Sequence, residues 1–129
     1  MTAEAGRFTL AEFLAFMLEA AERVEAFTAG LDEATFLADT TEGRMARDAV
    51  VYNLGVLGEV ARDIRQHHPD AVEQMRDIPF HRLHAMRNLV FHGYHAVDHE
   101  IVWTTSTVNV PPLVQSLRRR IAAIEAGSS

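Results

Sequence analysis

The chain has 129 residues, of which 48% are hydrophobic, and a formal net charge of −6 at pH 7. This length favours a single domain over residues 1–129, in which we expect flexible ends at residues 1–8 and 126–129. The absence of cysteine excludes disulfides, iron–sulfur clusters and thiolate zinc sites. The acidic balance argues against broad non-specific binding to nucleic acids, which depends on positive charge.

The sequence lacks a stretch of the roughly 20 apolar residues that a membrane helix needs. Residues 1–7 show no charged-then-apolar export pattern, and we therefore expect a soluble cytoplasmic protein. All 12 basic residues are arginine, whose planar fork binds phosphate in a bidentate manner. Any contact with RNA would need a local cluster of these arginines, because the negative net charge of the whole protein repels RNA.

The first helix is predicted to begin at Thr9, because Thr9 and Glu12 have the spacing of a capping box. Gly30 is predicted to stop it, since glycine is common just after a helix end. A short turn or helix is expected around Asp32–Leu37.

The second long helix is predicted over Thr41–His67, limited by Pro69. Its expected buried stripe consists of apolar residues at helical spacing: Met45, Ala49, Tyr52, Val56, Val60 and Ile64. A short helix around residues 70–76 follows.

A third long helix is predicted from Pro79 to His92, ended by Gly93, and a fourth begins near the N-cap Asp98. Prolines 111 and 112 must kink or break the fourth helix. Its apolar side is expected to comprise Ile101, Thr105 and Val108, and then Leu113, Leu117, Ile121 and Ile124. The pattern predicts an all-α, up-and-down antiparallel bundle of four main helices plus short helices.

The third long helix divides into an apolar face and a polar face when each residue turns about 100°. Leu83, Met86 and Val90 share the apolar face, with Arg87 at its border. The opposite face carries three imidazoles and an amide: His81, His84, Asn88 and His92. A plain solvent-facing side would more often carry Glu, Lys or Arg, so this strip is a candidate functional surface in which His84 and Asn88 could support a site, although exposed histidines on helices are mostly without function.

Arg87 and His92 together could supply the two functions that are needed to cleave RNA without a metal. Histidine titrates near neutral pH and can take or give a proton, while arginine can stabilise a phosphate in transfer. Five residues apart on an ideal helix, the two side chains diverge by about 140°. Either the helix unwinds before Gly93, or two copies of the motif meet across a dimer.

The run at residues 87–94, Arg-Asn-Leu-Val-Phe-His-Gly-Tyr, resembles the Arg-Asn-x-x-x-His-x-Tyr signature of HepT-like HEPN proteins. Residues 78–80, Ile-Pro-Phe, resemble a segment that is often Ile-Pro-Trp in that family. Residues 58–61, Gly-Glu-Val-Ala, are similar to the Gly-Glu-Ala segment of its second helix. The similarity spans about Leu10 to Ile124.

The resemblance implies a HEPN-like helical bundle that forms homodimers, with Arg87 and His92 of both protomers lining one cleft. It implies an endoribonuclease toxin of a type VII-like toxin–antitoxin pair, acting on RNA rather than DNA and needing neither metal nor cofactor. Asn88 would orient the site or bind phosphate. The usual partner is an MntA-type nucleotidyltransferase antitoxin, which silences the toxin by transferring AMP to the motif tyrosine, here Tyr94.

Two further patterns have alternative explanations. Glu59 is either a residue that orients Arg87 or a carboxylate in an ordinary surface ion pair. The basic run at residues 118–120 is either an RNA or antitoxin contact or a solvated helix end, and we favour the second.

The histidines also allow a metal hypothesis, because His81 and His84 are three residues apart and His95 and His99 are four apart. No carboxylate lies between His81 and His95 to complete a local ligand set, so we expect no physiological metal.

A rival function remains open at this point: a non-catalytic helical subunit that binds a nucleotidyltransferase or a nucleotide. The motif residues favour the enzyme, and the acidic charge favours the interaction module.

Overall fold

The structure, a computed structural model, describes residues 8–92 and 96–127, without the side chains of residues 89–92. Within these ranges the chain is helical and has no strand, which confirms the predicted all-α class. The elements are α1 (Leu10–Thr28), α2 (Glu33–Leu37), α3 (Thr41–His67), α4 (Pro69–Gln74), α5 (Phe80–His92), α6 (His99–Thr104), a π-helical segment (Thr105–Asn109) and α7 (Val110–Gly127).

The start of α1 is the predicted capping box. The Thr9 hydroxyl accepts from the Glu12 backbone N–H at 3.1 Å, and the Glu12 carboxylate accepts from the Thr9 N–H at 2.9 Å. After α1 the chain turns through Gly30, whose φ of +78° lies in the left-handed region that glycine adopts at little cost. The start of α1 is therefore set by local side-chain hydrogen bonds, and the turn after it by the backbone freedom of a glycine.

Side-chain caps also begin α2 and α3. The Asp32 carboxylate accepts from the Thr35 N–H at 2.8 Å at the start of α2, and the Thr40 hydroxyl accepts from the Gly43 N–H at 3.0 Å at the start of α3. The predicted bounds of the second long helix, Thr41–His67, are confirmed.

The core surrounds α3, which packs against α1 on one side and α5 on another, while α7 covers α1. Phe36 of α2 is fully buried and packs against Trp103 of α6, with the ring centroids 5.1 Å apart and the ring planes tilted by 42°. Fully buried side chains from the long helices fill the centre: Leu14, Met17, Val24, Val50, Leu57, Ile64, Val114 and Leu117.

The predicted apolar stripe of α3 is wrong at two positions, because the side chains of Met45 and Tyr52 are 67% and 63% exposed. The helix carries two interleaved apolar sets, and the packing of the neighbouring helices buries the other one, which includes Val50, Leu54 and Leu57. Periodicity alone could not choose between them, since both repeat at three and four residues.

The apolar face predicted for the fourth long helix is also wrong in its first part, since Ile101 and Val108 are 58% and 60% exposed. Val102, Ser106 and Val110 are buried there instead. The second part of the face is confirmed at Leu113 and Leu117, which are buried; Ile121 and Ile124 pack partly buried against the core.

The expected break at Pro111 and Pro112 is replaced by a wider turn just before them. The Val110 N–H donates to the Thr105 carbonyl five residues back, as in a π-helix. The Ser106 hydroxyl donates to the Val102 carbonyl at 2.8 Å. Because the helix has widened before the two prolines, which lack an N–H, it continues through them into α7.

None of the helices in the described ranges combines the length and the apolar character needed to cross a membrane.

Candidate active site

Helices α3 and α5 cross in close contact at Gly58. A Cβ at this position would lie 2.5 Å from the Leu83 carbonyl oxygen and closer still to the Arg87 Cβ. Any side chain at residue 58 would therefore push the two helices apart. The glycine brings the next residue of α3, Glu59, within reach of Arg87.

Arg87 and Glu59 form an ion pair across this crossing, in which Arg87 Nε donates to Glu59 Oε2. Arg87 Nη1 also donates to the side-chain oxygen of Asn88 at 3.3 Å. The Arg87 side chain is 25% exposed and that of Glu59 is 41% exposed, so the guanidinium is fixed in position yet open to solvent. This ion pair agrees with both explanations given for Glu59 in the sequence, a residue that orients Arg87 and a carboxylate in an ordinary surface ion pair.

His84 lies one turn before Arg87 and interacts with a third residue of α3. Arg65 Nη1 lies 2.6 Å from His84 Nδ1. Because arginine can only donate, this nitrogen must accept, and the ring is therefore neutral with its proton on Nε2. Burial, and then the positive charges of Arg65, Arg87 and Arg62, hold the pKa of His84 below its ordinary value of 6.5.

Arg62 and Asp63 complete the surroundings of the pair. Arg62 Nη1 lies 3.6 Å from Glu59 Oε1 and 3.6 Å from Asp63 Oδ1. Burial, and then the nearby charge of Glu59, raise the pKa of Asp63 above its ordinary value of 3.8.

We call these six residues the α3–α5 cluster: Glu59, Arg62, Asp63, Arg65, His84 and Arg87. Sequence reasoning missed Arg62, Asp63 and Arg65. The available signal was that Arg62 and Arg65 follow Gly58 by four and seven residues, which places them on one side of α3.

The remaining predicted site residues are less fully placed. Asn88 and His81 are exposed on α5. His92 is the last residue of α5, and its side chain lies outside the described residues, as does all of Tyr94. The backbone is α-helical through His92, so α5 does not unwind between Arg87 and His92.

A cavity of about 480 Å³ lies on another face of α5, between this helix and the last long helix. Arg82 and Met86 line it from α5, and Ile101, Thr105 and Asn109 line it from α6 and the π-helical segment. Arg87 and Asn88 do not line it, so the cavity is separate from the α3–α5 cluster.

The residues behind the metal hypothesis do not assemble into a ligand set within the described ranges, where no group of three His, Cys, Asp or Glu side chains could hold a metal ion. His84 Nδ1 is already bonded to Arg65. His95 lies outside the described residues.

The basic run of α7 has partners inside the molecule. Arg118 pairs with Glu22 of α1 at 2.7 Å, and Arg120 binds Asp77, before α5, through Nε at 3.0 Å and Nη2 at 2.5 Å. The hydrogen bond from Arg120 holds the pKa of Asp77 below its ordinary value. These contacts favour a structural role for the run.

Comparison with known proteins identifies the family to which the chain belongs. The model of a family described as ribonuclease HepT-like matches residues 17–120, which include all of α3 and α5. No curated protein and no solved structure matched the chain. Because the family match covers most of the sequence and contains the whole α3–α5 cluster, the chain belongs to the HepT-like ribonuclease family.

Proposed function

We propose that the chain is a metal-independent endoribonuclease toxin that cleaves RNA through Arg87 and His92. The observation that carries this proposal is the Arg87–Glu59 pair, which fixes a solvent-accessible guanidinium on the helix that also carries His92. Membership of a ribonuclease family gives this arrangement its substrate class.

The proposed reaction uses the RNA 2′-hydroxyl as the nucleophile. Its oxygen attacks the adjacent phosphorus, the bond to the 5′-oxygen breaks, and a 2′,3′-cyclic phosphate and a free 5′-hydroxyl result. His92 takes the proton from the 2′-hydroxyl or gives one to the departing 5′-oxygen. Arg87 stabilises the additional negative charge on the phosphate oxygens as it develops, and Asn88 and His84 support phosphate binding beside it.

The site is proposed to be shared between two protomers. Because the backbone of α5 stays α-helical through His92, positions 87 and 92 of one chain are about 140° apart around the helix axis. A two-fold dimer in which two α5 helices face each other places Arg87 of one protomer beside His92 of its partner.

Mixing two inactive variants tests this arrangement. Arg87→Ala and His92→Ala homodimers are expected to be inactive, and a heterodimer made by co-expression with two affinity tags retains one complete pair across the interface. Partial recovery of RNA cleavage in the purified heterodimer supports the shared site. A monomer in solution, or a heterodimer as inactive as its parents, contradicts it.

The proposed partner is an MntA-type nucleotidyltransferase that transfers AMP to Tyr94 and silences the toxin. Tyr94 follows His92 by two residues, so an attached phosphate would lie near the Arg87 side chains of the dimer. There it would form charge-assisted hydrogen bonds and occupy the place of the substrate phosphate.

The rival function is a helical subunit that binds a nucleotidyltransferase without cleaving RNA. The net charge of −6 favours it, because RNA is repelled by an acidic surface. Incubation of the purified protein with RNA in excess chelator separates the two functions, since only the enzyme yields cleaved ends.

A further inference from the structure

Arg65 differs from the other two arginines of the α3–α5 cluster in the groups that surround its positive charge. Arg62 lies near the carboxylates of Glu59 and Asp63, and Arg87 binds Glu59. Within the described residues Arg65 forms no ion pair with a carboxylate, and the hydrogen bond found for it goes to the neutral ring of His84. Its positive charge is therefore available to an anion.

His84 adds a second donor beside this charge. Its Nδ1 accepts from Arg65 at 2.6 Å, so the proton is on Nε2, and that N–H can donate to another oxygen. The contact also orients both side chains: the guanidinium keeps further N–H groups, and the half-buried imidazole cannot rotate without losing its bond. One oriented cation and one oriented neutral donor are suited to the oxygens of a phosphate diester.

Arg65 and His84 lie where an RNA strand bound at Arg87 could also contact them. His84 precedes Arg87 by three residues, about 4.5 Å along the helix axis. A phosphate at Arg65 and His84 would therefore lie about one helical turn from the phosphate held at Arg87, which is close enough for both to belong to one RNA strand.

We propose that Arg65 and His84 form a second phosphate subsite, which binds the RNA backbone next to the scissile phosphate. The proposal rests on the ribonuclease function proposed above for Arg87 and His92. The subsite positions the strand and reads no base, because its donors contact only phosphate oxygens.

The test measures binding of a fluorescent 2′-O-methyl oligoribonucleotide by anisotropy at several salt concentrations. This probe lacks the 2′-hydroxyl nucleophile, so binding can be measured whether or not the protein cleaves RNA. Arg65→Gln is compared with Arg65→Lys and with Arg23→Gln, which removes one exposed arginine of an α1 ion pair and changes the net charge equally. Circular dichroism melts verify that each variant is folded.

The subsite predicts that Arg65→Gln weakens binding and reduces the slope of log affinity against log salt by about 0.7. Arg65→Lys should keep the slope, and Arg23→Gln should keep both the slope and the affinity of the wild type. Three results would overturn the subsite. The wild type and Arg65→Gln could have equal slopes, Arg23→Gln could lose as much slope and affinity as Arg65→Gln, or the wild type could fail to bind the oligoribonucleotide.

A cleavage assay with unmodified RNA and the same proteins tests the ribonuclease function separately from the phosphate subsite. If the slope falls in Arg65→Gln and no protein cleaves RNA, the contact of Arg65 with an RNA phosphate stands and the ribonuclease proposal fails. If the wild type cleaves RNA and the slopes are equal, the subsite alone is wrong. If Arg65 instead binds an acidic protein partner, the salt slopes of RNA binding should be equal for the wild type and Arg65→Gln, and the subsite is then wrong.

Discussion

Gly58 and Arg87 are in direct contact where α3 and α5 cross, so close that a Cβ on Gly58 would overlap the Arg87 Cβ. The same added Cβ would lie 2.9 Å from the Arg87 backbone nitrogen. The obstructing atoms belong to the backbone and the base of a side chain, and they cannot rotate away.

Gly58→Ala is therefore predicted to destabilise the fold, although alanine is the better helix former by about 1 kcal/mol. Separating two packed helices costs about 1–3 kcal/mol in overpacked cores. We expect a net loss in the free energy of unfolding, together with reduced RNA cleavage because Arg87 moves relative to Glu59. Denaturant unfolding and a cleavage assay measure the two effects.

Gly127→Ala is the matched control, because no atom lies within 4 Å of a Cβ at that position. It should leave both stability and cleavage unchanged. A Gly58→Ala protein as stable as the wild type would contradict the tight crossing.

Glu59→Gln is predicted to reduce cleavage with little effect on stability. The pair with Arg87 is partly exposed, and ion pairs of this kind contribute about 0–1 kcal/mol. A misplaced Arg87 should lower the cleavage rate by about tenfold or more, since small displacements of catalytic groups are costly. Glu19→Gln, which makes the same change in the exposed pair with Arg23, should cleave RNA like the wild type. Equal rates for Glu59→Gln and the wild type would mean that Glu59 has no positioning role.

Local chemistry explains which parts of this fold are predictable from the sequence. The capping residues Thr9, Asp32 and Asp98 mark helix starts because each satisfies backbone N–H groups a few residues ahead. Gly30 marks a helix end because its backbone adopts a positive φ. None of these signals depends on the rest of the chain.

Burial on α3 was not predictable in the same way. Met45 and Tyr52 lie on an apolar stripe as regular as the one that is buried, and the packing of the neighbouring helices decides between the two. The π-helical turn before Pro111 likewise lies between two buried residues, Val102 and Val110, that the predicted apolar face did not include.

The site was predictable in part for a related reason. The contact between Glu59 and Arg87 was among the expected alternatives, because both residues belong to segments that resemble family motifs. Arg65 was missed because its importance follows from its contact with His84, which is 19 residues away in the chain and close only in the folded protein.

The pKa of His84 gives a prediction for variants of its neighbour. Burial and then Arg65 hold this pKa below 6.5, so Arg65→Gln should raise it toward that value. NMR titration of the imidazole resonances measures the shift, and the nitrogen chemical shifts report which ring nitrogen carries the proton. A pKa that is unchanged in Arg65→Gln would contradict the contact.

The same shift predicts how stability depends on pH. A histidine whose pKa is lower in the folded state than in the unfolded state takes up its proton first in the unfolded chain. His84, and also His99 through burial and the charge of Arg47, should therefore reduce stability as pH falls from about 6.5 through their lowered pKa values. Asp63 acts in the opposite direction and at lower pH, because its pKa is raised above 3.8.

Urea unfolding between pH 7.5 and pH 5.5 measures this dependence. The wild type should lose stability toward pH 5.5, and a His84→Gln/His99→Gln variant should lose less. An identical decline in both proteins would assign the effect to other groups.

Tyr94→Phe tests the proposed control by AMP transfer. Co-expression with an MntA-type nucleotidyltransferase should increase the intact mass of the wild type by one or more AMP units and leave Tyr94→Phe unmodified. The variant should retain RNA cleavage and escape inhibition. Inhibition of unmodified Tyr94→Phe by the partner would show that silencing works through binding alone.

Cleavage of a synthetic RNA by the purified protein in excess chelator tests the central claim most directly. The wild type should produce 2′,3′-cyclic phosphate and 5′-hydroxyl ends, identified by mass spectrometry. Folded His92→Ala should be slower by about 10² to 10⁴, the range for losing a general acid or base. Failure of the wild type to cleave without Mg²⁺ or Mn²⁺, or unchanged cleavage by folded His92→Ala, would contradict the proposed mechanism.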